Sequence, residues 1–259
     1  MSKFLRDYKP TGYVKDTYQK NHQNQTLDYV LYKKEHYKQP ILGDINIWEL
    51  IEKLDNIVDE SDPDTSLPQS QHALQTAEAI EKKYPDKEWL QVTGLIHDLG
   101  KVLLLKNEPQ WSVVGDTFPV GCDFSSDIIY HELFSDNPDN LKFGKLGIYQ
   151  ENCGLCNVHF SWGHDEFLAK TLEKNIELGR CLLPSDSIYI IRYHSFYAHH
   201  QSEAYSYLLD SKDKEMLPLL KEFQKFDLYT KTEQEVDIGS LKDKWKKKLK
   251  TFFVGDILV

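Results

Sequence analysis

The chain has 259 residues, 31 basic and 41 acidic side chains and a net charge of −10, which excludes nucleic acid as a main partner because phosphate backbones require a basic face. No run of 18 apolar residues occurs and Met1-Ser2-Lys3-Phe4-Leu5-Arg6 lacks a signal-peptide core, so no membrane partner, a cytoplasmic address and a monomer are expected. The cysteines at 122, 153, 156 and 181 are too few for a disulfide scaffold.

In chain order the periodicity is helical. Residues 46–58 place Ile47, Leu50, Ile51, Leu54, Ile57 and Val58 on one stripe. A second helix is expected over 70–84, ended by Pro85-Asp86, and a third over 87–98. Residues 106–163 hold six of the 13 glycines and prolines at 109, 119 and 138, so they read as loops with a short hairpin at 112–120. Further helices are expected over 165–175, 187–199 and 217–226. The pattern predicts a single all-α domain over 1–259, a mainly helical bundle with one long excursion around 106–163.

The chemistry concentrates in His97-Asp98-Leu99-Gly100-Lys101, at the end of the apolar run Trp89–Ile96. Adjacent residues on a helix point about 100° apart. A carboxylate has two oxygens, so the His-Asp pair can serve one metal or two. A carboxylate closing an apolar helix is costly to bury without a cation, and Gly100 reads as the helix stop. His72, His164, His194 and Asp227 are the other candidate ligands. Four imidazoles with two carboxylates suit first-row redox metals better than magnesium or calcium.

Each candidate has an ordinary alternative. His72 alone reads as a surface or hydrogen-bonded histidine, and His194 as a core histidine bonded to a carbonyl. Asp227 reads as a helix-end carboxylate, and Asp165, after His164, as an early-turn residue favoured by the helix dipole. Asp59–Asp64 reads as a solvated acidic loop and Gly115-Asp116 as a turn. Cys153-Gly154-Leu155-Cys156 has no second pair at zinc-site spacing. The Lys-rich stretch 242–250 reads as a solvated helix face.

The order His, His-Asp, His, His, Asp resembles the HD-domain superfamily in its variant with two additional histidines. More narrowly, the chain resembles the myo-inositol oxygenase family over about residues 3–232. The resemblance is carried by Asp59–Asp64, His72–Glu78, Gly94–Lys101, Val114–Cys122, Ser161–Glu166, Arg192–Tyr197 and Phe226–Lys231.

That resemblance implies an HD-domain helical bundle and two iron ions in a mixed-valent Fe(II)/Fe(III) state. Their implied ligands are His72, His97, Asp98, His164, His194 and Asp227, with Asp98 as the bridge and His164 and His194 on the more open iron. It implies myo-inositol as the small-molecule substrate, met by Arg6, Asp59, Glu60, Ser61, Lys101, Gly115, Asp116, His194 and Ser195. Dioxygen would be co-substrate in a four-electron ring cleavage to D-glucuronate, with Asp98 and Lys101 as catalytic residues. Lys101, with its stem along the wall and its ammonium on substrate oxygen, is expected to serve turnover and to leave stability untouched. The rival reading is a metal-dependent phosphohydrolase of the same superfamily, acting on a nucleotide. It sits poorly with an acidic 59–64 segment, which repels phosphate, and with Lys101 and Arg192 as the main cations near the candidate ligands.

Overall fold

The computed structural model describes residues 12–61, 68–229 and 236–259. Arg6, the first of the expected substrate contacts, lies outside them.

Ten α-helices occur among these residues, joined by 3-10 turns and a two-stranded ribbon. The core is built on α4 (Gln69–Lys83) and α5 (Glu88–Ile96), the second and third helices expected from the sequence. Every residue of α5 from Leu90 to Ile96 is buried. Its two polar members are satisfied inside: Gln91 Nε2 donates to the carbonyls of Tyr84 and Pro85, and the Thr93 hydroxyl donates to Trp89 O at 2.7 Å. A Cβ on Gly94 would come within 2.6 Å of Ile80 Cδ1, so the missing side chain sets the close approach of α4 and α5.

Gly100 is no helix stop. The chain continues past Asp98 as a 3-10 helix, Leu99–Lys106. A Cβ on Gly100 would fall 2.0 Å from the carbonyl oxygen of His164 and 2.9 Å from its Cα. This glycine lets the start of α6 (His164–Glu177) lie directly against the His97-Asp98 step.

The expected helix 187–199 divides in two. α7 (Ser185–Tyr193) ends before His194, and α8 (Tyr197–Ser202) begins after Phe196. Thr117 N donates to Ser195 O at 2.9 Å, so a strand-like neighbour claims a carbonyl that a continuous helix would use. α9 (Ser211–Tyr229) carries Asp227 and is longer than the expected 217–226. α3 (Ile47–Lys53) and the 3-10 turn Leu54–Asn56 bury the expected stripe as far as Ile57, but the helix ends at Asn56 and Val58, in extended chain beyond it, is exposed.

The excursion holds no hairpin at 112–120. Gln110–Ser112 form a 3-10 turn and Gly115 takes φ +104°, which breaks any local strand. Pro119 instead forms an antiparallel bridge with Phe160, flanked by Val120 N to His159 O at 2.8 Å and Ser161 N to Phe118 O at 2.7 Å. The pairing is long-range, which local turn signals do not encode. Phe118, Phe124 and Phe134 knit the excursion together and pack on His22 of α1 (Gly12–Asn24), a helix the periodicity did not reveal. α2 (Leu27–His36) follows it.

The Lys-rich stretch is a packed helix, α10 (Ile238–Phe252), rather than a wholly solvated face. Trp245 is fully buried and its indole N–H donates to Glu78 at 2.6 Å, while Lys244 and Lys248 pair with Glu81 of α4. The segment after it pairs Ile257 with Ile45 and Leu258 with Asp44 in an antiparallel ribbon of β1 (Asp44–Ile45) and β2 (Ile257–Leu258). No described helix is long and apolar enough to cross a membrane.

Gly100→Ala is expected to lower unfolding stability by at least about 1–3 kcal/mol, since the added methyl meets backbone that cannot step aside cheaply. Gly144→Ala, where nothing lies within 4 Å of the new Cβ, is the control and should stay within about 1 kcal/mol of the parent. Urea unfolding of both variants measures the difference.

Candidate metal centre

His97 and His194 reach the same place by the same local device. Each follows the last residue of a buried helix, α5 or α7, in right-handed helical conformation. Each donates its Nδ1–H to the carbonyl three residues earlier, Gly94 O and Ile191 O, both at 2.8 Å. His164, at the start of α6, does the equivalent with Val113 O at 2.7 Å. A ring whose Nδ1 donates to a carbonyl turns its Nε2 to the centre, where that nitrogen can carry a proton or, on losing it, bind a cation. For His194 the core-histidine reading is met on Nδ1, while Nε2 faces His164 and Asp98, where the ligand reading would use it.

The Nε2 atoms converge on Asp98. Its Oδ2 lies 3.5 Å from His97 Nε2 and 3.8 Å from His72 Nε2. Asp227 Oδ1 closes that side, 3.0 Å from His72 Nε2 and 3.4 Å from His97 Nε2. The other oxygen, Oδ1, lies 3.4 Å from His164 Nε2 and 3.5 Å from His194 Nε2. One carboxylate thus presents a separate oxygen to each of two donor sets. All six residues are buried.

The donor set fits a cation. His97 Nε2 is buried with no hydrogen-bond partner, and an imidazole nitrogen left so would cost about 1–3 kcal/mol without one. His72, His97 and Asp227 bring one donor atom each within 4.8 Å of one another, and so do His164, Asp165 and His194. Burial works against charge at Asp98 and His164, and their neighbours override it. Asp98 sits well below the usual carboxylate range against that burial, because His97 and Lys101 adjoin it. For His164 the desolvation is likewise overcome, chiefly by Asp165, and its pKa rises to about 10.

Lys101 is held by more than the expected substrate oxygen. Its ammonium is buried and contacts Asp98 Oδ2 at 2.8 Å, Asp59 Oδ2 at 2.9 Å and Gln69 Oε1 at 3.2 Å. Burial disfavours its charge, but Asp59 and Asp98 override this and keep it protonated far above neutrality. Asp59 is held down to about 2 by Lys101 and by the Ser61 hydroxyl and amide, despite its own burial. Lys101 therefore supports the fold as well as facing the centre.

A cavity beside Asp98 is lined by Asp59, Ser61, Lys101, Gly115, His164, His194, Ser195, Tyr197 and Asp227. Five of the expected substrate positions beyond His194 are among them. Asp116 is buried just behind Gly115 and accepts from the Tyr18 hydroxyl at 2.8 Å. Glu60 does not line the cavity, and it accepts from Thr17 at 3.3 Å.

Two residues at the centre were not anticipated. Tyr197 lines the cavity and its hydroxyl donates to Asp227 Oδ2 at 3.3 Å; its spacing of three from His194 was the available signal. Asp165 is 1% exposed, with Oδ1 2.7 Å from His164 Nε2. It repeats the His-Asp dipeptide of 97–98, a stronger hint than the helix dipole. Arg192, by contrast, is engaged by Glu166 and Glu173 at 2.8 Å each and is not among the cavity's lining residues.

Comparison with known proteins gives one consistent result. The myo-inositol oxygenase family model matches residues 11–258, so the likeness runs past 232 and through α10. Inositol oxygenase 1 of Arabidopsis thaliana is 49% identical over 235 residues, covering 88% of this chain and 74% of that protein. Inositol oxygenase of Dictyostelium discoideum is 46% identical over 253 residues, 94% of this chain and 85% of its own. Inositol oxygenase of Danio rerio is 46% identical over 233 residues, with coverage of 88% and 82%.

Lys101→Ala strands two buried carboxylates, and a loss of about 3–5 kcal/mol of unfolding stability is expected. A loss under about 1 kcal/mol in denaturant titration would return Lys101 to a purely substrate-facing role. Asp59 adds a pH signature. Its pKa falls from 3.8 to about 2 on folding, so its stabilisation is whole above pH 3.8 and disappears as pH falls through 2. The contribution is on the order of 2 kcal/mol. Asp59→Asn should flatten the acid limb of stability against pH between 4 and 2, measured by denaturant midpoints.

Proposed function

The chain belongs to the myo-inositol oxygenase family, and on that premise we propose that it cleaves the myo-inositol ring with dioxygen to give D-glucuronate, using two iron ions. The observation that carries the two-metal reading is Asp98, with one oxygen 3.5 Å from His97 Nε2 and the other 3.4 Å from His164 Nε2.

His72, His97, Asp227 and Asp98 Oδ2 would hold the first iron, and His164, His194 and Asp98 Oδ1 the second. Imidazole with carboxylate is a suitable set for ferrous and ferric iron. Bound there, the mixed-valent pair would supply Lewis acidity at a substrate oxygen and the redox capacity that dioxygen activation needs. Over the whole reaction the C1–C6 bond breaks, one oxygen atom enters the product and the other leaves as water.

The chain's own groups bind and orient. Inositol is an uncharged polyol, and the cavity answers with paired charges of both signs and with hydroxyls. Lys101 donates from a position fixed by Asp59, Asp98 and Gln69. Ser61 and Ser195 can donate or accept, and Asp59 can accept from ring hydroxyls, while Asp116, outside the cavity lining, would need to turn from Tyr18 to do so. Tyr197 holds the Asp227 oxygen that is not turned to His72. The apolar helices behind the histidines exclude water from the rest of the centre.

A phosphohydrolase reading gains nothing from the site. Among the described residues Lys101 is the one lysine or arginine lining the cavity, and two carboxylates already neutralise it.

The test is oxygen uptake by the iron-loaded protein with and without myo-inositol, with the product assayed as glucuronate and the metal counted. Inositol-dependent uptake and about two irons per chain are expected. Uptake that ignores inositol, or phosphate release from nucleotides in its place, would overturn the reading. A further expected outcome separates the two metal positions. His194→Ala should empty one iron, whereas Asp98→Ala should release both, as read by elemental analysis.

A further inference from the structure

Asp165 is a buried carboxylate to which the six-ligand assignment gives no task. Its Oδ1 lies 2.7 Å from His164 Nε2 and 3.4 Å from His194 Nε2. Both rings are fixed through Nδ1 to backbone carbonyls, so the carboxylate stands on the side where they would meet a cation. It also gathers three segments. Oδ2 accepts from the Thr117 hydroxyl at 2.9 Å and from Ser195 N at 3.3 Å, and Oδ1 accepts from the Ser195 hydroxyl at 3.3 Å. Thr117 N in turn donates to Ser195 O at 2.9 Å.

The charge count around Asp98 gives this arrangement its meaning. His72 and His97 have a carboxylate of their own, Asp227, and share one oxygen of Asp98. His164 and His194 share the other oxygen of Asp98, and the carboxylate of their own is Asp165. Each imidazole pair is thereby matched by one private and one shared anion. A helix-dipole role acts at an exposed first turn, and it would not require a side chain buried to 1% exposure with three donors on it.

We propose that Asp165 is a positioning residue of the second metal position, clamping the His194–Ser195 turn to Thr117 and supplying the negative charge that lets His164 and His194 hold a cation. The assignment rests on the two-metal reading above. It goes further in naming the anion that the more open position depends on, without which two imidazoles and half a carboxylate would face a multivalent ion.

The experiment loads wild type, Asp165→Asn and Asp165→Glu with ferrous iron under anaerobic conditions and counts the iron retained after gel filtration. Far-UV circular dichroism and melting of the metal-free proteins monitor the fold. Asp165→Asn keeps an acceptor for Thr117 and loses the charge, so iron is expected to fall from about two to about one per chain with the fold retained. Asp165→Glu restores the charge and is expected to hold two. Two irons in folded Asp165→Asn, or the loss of both, would overturn the assignment. Should Asp165→Asn not fold, Asp165→Glu decides alone: two irons uphold the assignment and fewer overturn it. A wild type that holds fewer than two irons would instead overturn the two-metal reading and this assignment with it.

Discussion

The centre depends on keeping one carboxylate ionised inside the core. Asp98 is buried at the end of an apolar helix, where an uncompensated charge would take up a proton or unfold its surroundings. Lys101 and four imidazoles surround it, and each is held by a second contact of its own. Those contacts reach into α4, α5, α6, α7 and α9, so the major helices of the core meet at one charge. Packing and electrostatics are therefore not separable here. A shift of any of these helices would move a donor away from Asp98.

The positions of the histidines follow from backbone hydrogen bonding. A helix end leaves carbonyls or N–H groups without partners. His97 and His194 use helix C-termini, where the carbonyl three residues back accepts from Nδ1. His164 begins a helix, where no such carbonyl exists within its own element. The excursion supplies one: Val113 O accepts both the His164 amide at 2.9 Å and its ring N–H. The long non-helical stretch is thus a framework for the centre, ordered by its own phenylalanines and by α1. Gly100 permits the same approach from the other side.

The candidate ligands are legible because their residue types are rare together and their order along the chain is distinctive. His72, His97, Asp98, His164, His194 and Asp227 do come together, and the helices of the core lie within a few residues of the expected ranges. What escaped is non-local. The partner of Pro119 is Phe160, which no turn signal near 112 reveals. α1 and α10 are polar along most of their length and take their place from a few buried residues, such as Tyr18 and Trp245. Gly100 reads locally as punctuation, and its reason lies 64 residues away in His164. Lys101 was read from its neighbours in sequence, whereas Asp59 and Gln69 decide its burial.

The same charges that stabilise the fold prepare the cavity for a neutral ligand. Lys101 and Asp59 cancel one another at 2.9 Å, and the aspartates at the centre are matched by imidazoles. A phosphate or carboxylate entering such a cavity would find no unpaired cation among the described lining residues, apart from a metal. A polyol asks for less. Its hydroxyls can each donate to an oxygen already ionised and accept from a donor already fixed, with no charge to be neutralised. Pre-paired charges of this kind hold their geometry before substrate arrives, so little reorganisation is needed on binding. On the proposed function, discrimination would fall to the spacing of Ser61, Asp59, Lys101 and Ser195 around Asp98. That spacing is set by the ion pairs and backbone contacts that hold the helices together.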